Sequence, residues 1–166
     1  MIKTGKVHRF DSNIDTDQII PSQYLVLPSI NEMVEHVMEP IKPNFSQSFS
    51  KGDIIVAGRN FGCGSSREQA PAVLKEMGVG CIIAESFARI FYRNCINLGV
   101  PVIELKDVSG FSDGDVVKVD FIQGNIINEN KKSKYGFLQY SKYVQDLIDS
   151  GGLIEYFKKT TAFKGE

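Results

Sequence analysis

The sequence predicts an α/β fold, and three observations carry the prediction. Between Asp53 and Leu105, apolar runs and helical patterns alternate as strand, helix, strand, helix, strand. The three runs, Asp53–Ala57, Cys81–Ala84 and Pro101–Leu105, are short and rich in β-branched residues, as buried strands are. Gly78 and Gly99 close the helical stretches between them. Alternation of this kind implies parallel strands joined by right-handed crossovers, in a single domain over residues 1–166.

The elements follow in order. Lys6–Phe10 alternates as a first strand, and Asp11-Ser12-Asn13 is turn chemistry. Asp15-Thr16-Asp17 makes a small acidic loop before Ile19-Ile20-Pro21. Ser29 and Glu32 form a capping box for a helix of about ten residues, with Ile30, Met33, Val34, Val37 and Met38 on its apolar stripe. Pro40 stops it, and Pro43–Lys51 reads as a surface loop. The next helix runs from about Ser66 to Met77, with Pro71 expected to kink it. Ser86 caps a second helix that carries Phe87, Ile90, Phe91 and Leu98. Val116–Ile122 is a strand turning through Gln123-Gly124-Asn125, and Lys131–Lys134 is a solvated basic loop. Helices are expected over Ser141–Ile148, closed by Gly151-Gly152, and over Leu153–Lys159.

The chemistry concentrates in Gly58–Ala70, Gly-Arg-Asn-Phe-Gly-Cys-Gly-Ser-Ser-Arg-Glu-Gln-Ala. A glycine-rich turn between a strand and a helix start offers backbone amides and partial positive charge to an anion. Two serines and an arginine at that point suit a carboxylate, and the same setting lowers the proton affinity of a hydroxyl. Ser65 and Glu68 also match a capping box. That box leaves Gly58, Gly62, Gly64, Ser66 and Arg67 unexplained. No phosphate-loop lysine occupies the turn, and no glycine follows the serine as in a nucleophile elbow.

Composition narrows the function classes. Nineteen basic and 20 acidic residues give a net charge of −1, which implies neither nucleic acid nor an anionic membrane as partner. No apolar run approaches the roughly 20 residues of a membrane span, and the start lacks a signal-peptide core, so a soluble cytoplasmic protein is expected. Cys63, Cys81 and Cys95 form neither a disulfide framework nor a metal knuckle, and no metal constellation is expected in this chain. Cys81 and Cys95 read as buried hydrophobes, and Cys63 as the one candidate reactive thiol.

Three motifs together resemble a known family. Gly62-Cys63-Gly64-Ser65-Ser66-Arg67-Glu68 is similar to the signature of the small, swivelling subunits of 3-isopropylmalate dehydratases, in the aconitase superfamily. Asn13–Pro21 and Ser86–Asn94 resemble two further motifs of that family, in the same order, and the likeness runs over nearly the whole chain. The resemblance implies a swivelling β/β/α domain. It implies a hydro-lyase that moves a hydroxyl between neighbouring carbons of a small dicarboxylic hydroxy acid. Iron of a [4Fe–4S] cluster would act on the hydroxyl. Three scattered cysteines cannot easily hold such a cluster, so it would belong to a larger partner subunit, with no cofactor bound by this chain.

Carried over by position, Ser65 matches the proton-abstracting serine. Ser66 and Arg67 match contacts to the substrate carboxylate, and Asp17 a supporting aspartate. The family's specificity loop falls at Tyr24-Leu25-Val26-Leu27. Relatives acting on homoaconitate carry arginine where Val26 stands. Valine offers an apolar wall and leaves an extra carboxylate unpaired. Simple core packing is the other reading of Val26. Gln69 replaces the histidine of many relatives and cannot titrate. Arg59, Arg89 and Arg93 are candidates for the same acidic pocket, although a structural salt-bridge face is the preferred reading of Arg89 and Arg93. The same chemistry on citramalate or 2,3-dimethylmalate is an alternative, as is a non-catalytic acid-binding swivel module.

Overall fold

A computed structural model of the chain describes residues 1–162. The strands are β1 (Ile2–Arg9), β2 (Ile54–Ala57), β3 (Cys81–Ala84), β4 (Val102–Glu104), β5 (Val116–Asp120), β6 (Asn125–Asn128) and β7 (Ser133–Gly136). Three one-turn helices, α1 (Thr16–Ile19), α2 (Ile30–Met33) and α3 (Phe45–Ser48), lie between β1 and β2. Longer helices follow: α4 (Gln69–Met77), α5 (Arg89–Leu98), α6 (Lys142–Asp149) and α7 (Leu153–Ala162). Two 3-10 turns occupy Ser22–Tyr24 and Val34–His36.

All seven strands join one sheet in the order β4-β3-β2-β1-β5-β6-β7. The long strand β1 serves both halves. Its end, Val7–Arg9, pairs parallel with Ile54–Val56, while Ile2–Lys6 pairs antiparallel with Val116–Asp120. Side chains alternate across the parallel strands. Ile55, Ala57, Ile82 and Ala84 pack with helix residues such as Val73, Leu74 and Phe91. Ile54, Val56, Cys81 and Ile83 pack with Val117, Val119 and Ile126 of the antiparallel half. The sheet therefore curls so that its antiparallel half covers one face of the parallel half and helices cover the other. This β/β/α layering is the predicted fold. No helix among the described residues is long and apolar enough to cross a membrane.

Several local expectations are corrected. The ten-residue helix at Ser29 shrinks to α2 and a 3-10 turn, the chain becoming extended at Val37 (ψ 129°) and left-handed at Met38 (φ 59°). Part of the loop at Pro43–Lys51 coils as α3, where Phe45 is buried. The basic run Lys131–Lys134 leads into β7, an edge strand whose exposed Lys134 alternates with the half-buried Ser133 and Tyr135. Lysine on a sheet edge discourages further strand pairing. Helix α4 begins at Gln69, so Pro71 falls in its first turn, where its missing N–H would have had no partner.

Candidate active site

The three motifs singled out in the sequence meet in space. The turn after β2 is laid between the segment before α1 and the segment before α5. On one side, the Gly62 amide donates to the Ile14 carbonyl at 2.7 Å and the Thr16 amide to the Cys63 carbonyl at 2.9 Å. On the other, the Phe61 amide donates to the Ser86 carbonyl and the Ala88 amide to the Phe61 carbonyl, both at 3.0 Å. Gly62 has a φ of 80°, and the Phe91 ring packs where a Cβ would stand. Glycine is the residue that permits this close approach.

Past Gly64, at a φ of 90°, the turn delivers Ser65, Ser66 and Arg67 to one cleft of about 200 Å³. Ser65 is fixed through its carbonyl, which accepts from Thr16 Oγ1 at 2.8 Å and from the Arg67 amide at 2.9 Å. Both serines are exposed. The Arg67 guanidinium donates through Nη1 to Asp17 Oδ1 at 2.9 Å and to the Ile20 carbonyl at 3.1 Å. Asp17 Oδ1 also accepts from the Ser22 amide at 3.1 Å. The Arg67 hydrogen bond holds the Asp17 carboxyl below the usual carboxylate range, so Asp17 is an anion that orients the guanidinium.

The opposite wall of the cleft is the start of α5, Ala88–Phe91, with Asn94 one turn on. Ala88 makes no side-chain cap, so no side chain of that residue competes for the first-turn amides beside the cleft. Two expectations fail here. Ser65 and Glu68 form no capping box, because α4 starts only at Gln69 and its cap, Glu68, makes no side-chain bond. Ser86 does not cap α5; its hydroxyl accepts from the Asn60 amide and so ties that segment to the glycine turn. The helix start bordering the cleft is thus that of α5. Asp15 and Gln18 form the capping box that sequence reading missed, although Asp-x-x-Gln carries its signal.

Val26 is not among the cleft-lining residues. It stands 85% exposed on the turn after Ser22–Tyr24, which removes the core-packing reading. The turn nevertheless connects to the cleft, since the carboxylate oxygen that holds Arg67 also holds Ser22. Arg89 lines the cleft and Arg93 lines a separate one beside Tyr140. Neither has an ion-pair partner among the described residues, so the expected salt-bridge face does not form. Arg59 pairs at 3.4 Å with Glu85. Thr16, buried and holding Ser65 in place, is a further site residue that its position between two aspartates concealed.

The thiols do not suit a cluster. Cys81 and Cys95 are fully buried, and desolvation pushes both thiols far up. Burial, and then the nearby Asp15 charge, push the Cys63 thiol up as well. No group of three His, Cys, Asp or Glu side chains is placed to hold a metal ion among the described residues.

Residues 32–108 match the aconitase C-terminal domain family. The chain is also 49% identical to the 3-isopropylmalate dehydratase small subunit of Wolinella succinogenes, over 97% of this chain and 96% of that protein. The chain belongs to the 3-isopropylmalate dehydratase small-subunit family. Within the small subunits it is likewise 53% identical to the methanogen homoaconitase small subunit of Methanothermobacter thermautotrophicus, over 94% of this chain and 91% of that one. A crystal structure of 3-isopropylmalate dehydratase from Methanocaldococcus jannaschii superimposes with a TM-score of 0.94 at 41% identity, covering 99% of this chain and 98% of that one. Similarity of this order spans small subunits named for two different substrates. The choice between substrates therefore rests on individual residues.

Proposed function

We propose that this chain is the small subunit of a 3-isopropylmalate dehydratase, a cytoplasmic hydro-lyase of leucine biosynthesis that interconverts 2- and 3-isopropylmalate. The observation that carries the proposal is the cleft: two free serines and an Asp17-held arginine, converging in a chain that matches such a subunit over 97% of its length. It works as one swivelling domain with a larger subunit, which holds the [4Fe–4S] cluster. This chain's cysteines do not fit that cluster, and the steps assigned here use its own residues alone.

Arg67 and Ser66 bind a substrate carboxylate, the planar guanidinium through its remaining donors. Ser65 takes the proton from carbon, and the electron pair left behind forms the alkene as hydroxide leaves the neighbouring carbon. In the return step hydroxide adds to the carbon that lost the proton, and Ser65 gives its proton to the carbon that lost the hydroxyl. A serine hydroxyl is too weak a base in water, so its alkoxide must be stabilised. The first-turn amides of α5, Arg67 and Arg89 supply positive potential at the cleft, and excluding water strengthens each contribution. The exposure of Ser65 fits a site completed by a partner.

Val26 supports an apolar substituent over a further carboxylate. An arginine there would pair with a third carboxylate, whereas valine leaves it desolvated and unpaired. The decisive test is turnover by this chain mixed anaerobically with its cluster-reconstituted large subunit. Preference for 2-isopropylmalate over 2,3-dimethylmalate and homocitrate is expected. Preference for dimethylmalate moves the substrate but keeps the mechanism, and turnover of homocitrate overturns the role given to Val26.

A further inference from the structure

The turn that carries Val26 is held to the rest of the fold by side chains, Tyr24, Leu25 and Leu27 packing part-buried against the core. Its backbone bonds are local: the Tyr24 amide to Pro21, Leu25 to Ser22 and Leu27 to Tyr24, at 3.0–3.1 Å. Ser22 is held at one end by Asp17. In the middle, the Tyr24 ring lies flat on the His36 imidazole, with centroids 3.6 Å apart and planes 6° from parallel.

The platform under that ring is tied to neighbouring elements. His36 ends the 3-10 turn Val34–His36, and the two residues that follow, Val37 and Met38, are buried. The Met38 amide donates to the Ile19 carbonyl of α1 at 3.0 Å, and the Ser46 hydroxyl of α3 donates to the Glu35 carbonyl at 3.1 Å. His36 Nδ1 is buried and makes no hydrogen bond, yet stands 3.4 Å from Glu39 Oε2. Glu39 also stands beside the Tyr24 hydroxyl, where it pushes the phenol above its usual range. Tyr24, His36 and Glu39 are thus one cluster joining the Val26 turn to fixed parts of the fold.

We propose that His36 is a positioning residue for substrate discrimination: its imidazole, stacked on Tyr24, clamps the Ser22–Pro28 turn and so fixes where Val26 meets the substrate. This rests on the reading of Val26 given above. His36 is not among the residues lining the cleft, and acts through the place it gives the turn. The local backbone bonds move with the turn, so its placement rests on side-chain contacts: the part-buried Leu25 and Leu27 hold its later half to the core, and the Tyr24–His36 stack holds its middle.

The test uses the full chain assembled with the cluster-loaded large subunit, comparing His36→Ala, His36→Phe and Val26→Arg. In His36→Ala, exchange of the Leu25 and Leu27 amides should quicken about tenfold, the scale that losing one aromatic pair allows. KM for 2-isopropylmalate should rise by a similar factor with kcat within about twofold, lowering preference over homocitrate. His36→Phe keeps a flat ring and should restore both exchange and KM. Unchanged exchange at α5 amides shows that the fold is intact. If Val26→Arg shifts preference while His36→Ala changes neither exchange nor preference, the role of His36 is overturned and that of Val26 stands. If Val26→Arg changes nothing, and His36→Ala loosens the turn without kinetic effect, the Val26 reading fails and takes this role with it. Failure of His36→Phe to restore exchange overturns the stack as the clamp.

Discussion

Replacing Gly62 by alanine should destabilise the protein by about 2–5 kcal/mol, from two additive costs. A φ of 80° is left-handed, which costs an L-residue about 1–2 kcal/mol. The new methyl would also fall on Phe91, 2.6 Å from both its Cβ and its Cδ1. Rotating the ring relieves only the second contact, so α5 itself must move. Phe91 is buried, edge-on to Phe61 at 5.4 Å, and so resists. Forcing a methyl into such packing costs about 1–3 kcal/mol. Gly114 is the internal control. Its φ is 86°, but a Cβ there meets nothing within 4 Å, so Gly114→Ala incurs the backbone cost alone. Urea unfolding of both variants reads the difference. With a denaturant slope of about 1–3 kcal/mol/M, Gly62→Ala should unfold about 1 M earlier than Gly114→Ala. Equal midpoints would refute the clash. Because Phe91 also lines the cleft, Gly62→Ala should lower kcat/KM in the assembled enzyme, whereas Gly114→Ala should not.

Three further outcomes are expected. Ser65→Ala should lower turnover about 10²–10⁴-fold while the assembled enzyme still binds substrate, and equal behaviour of both proteins would favour a non-catalytic acid-binding module. Burial pushes the Asp53 carboxyl up, but the 2.8 Å hydrogen bond with His8 and the Ser50 and Lys6 amides outweigh it and hold it low. A carboxyl lowered on folding contributes stability in full above its unfolded value, near 3.9, and loses it as pH falls through the folded value. Asp53→Asn should therefore flatten stability against pH below about pH 4, and an unchanged slope in chemical unfolding would count against the pair. Cys63, raised by burial and Asp15, should react slowly with a disulfide reagent at pH 7 and faster above pH ~9; rapid labelling at neutral pH would contradict that.

The parallel half of the fold was legible because its strands are apolar on both faces and its helices end in glycine. The antiparallel half was harder, since Lys134 and its neighbours satisfy an edge strand without looking like one. Ser65 and Glu68 have the spacing of a capping box, but Gly64 turns the chain left-handed and the helix waits until Gln69. The residues Ser65, Ser66, Arg67 and Asp17 were visible as types, whereas their convergence depends on hydrogen bonds between segments about 50 positions apart. Arg89 and Arg93 obey the four-residue rule for a shared helix face yet open onto different cavities. Local spacing says nothing of what packs above each turn of α5.

Two exposures in this subunit point to the same physical need. Ser65 lies open to water, where a unit charge 4 Å away alters an alkoxide by only about 1 kcal/mol; at an effective dielectric near 20 the same charge contributes about 4. On the proposed function, Val26, 85% exposed, would discriminate between substituents only once a surface closes over it, when burying its side chain is worth about 1.5–3 kcal/mol. Asp17 links the two, since one oxygen holds both Arg67 at the cleft and Ser22 at the start of the Val26 turn. A partner that covers the cleft would therefore dry the base and complete the apolar wall in a single closure. A substrate whose side group disrupts the wall would then also weaken the base. On the proposed function, substrate choice should consequently register in kcat as well as in KM for substituents that Val26 rejects.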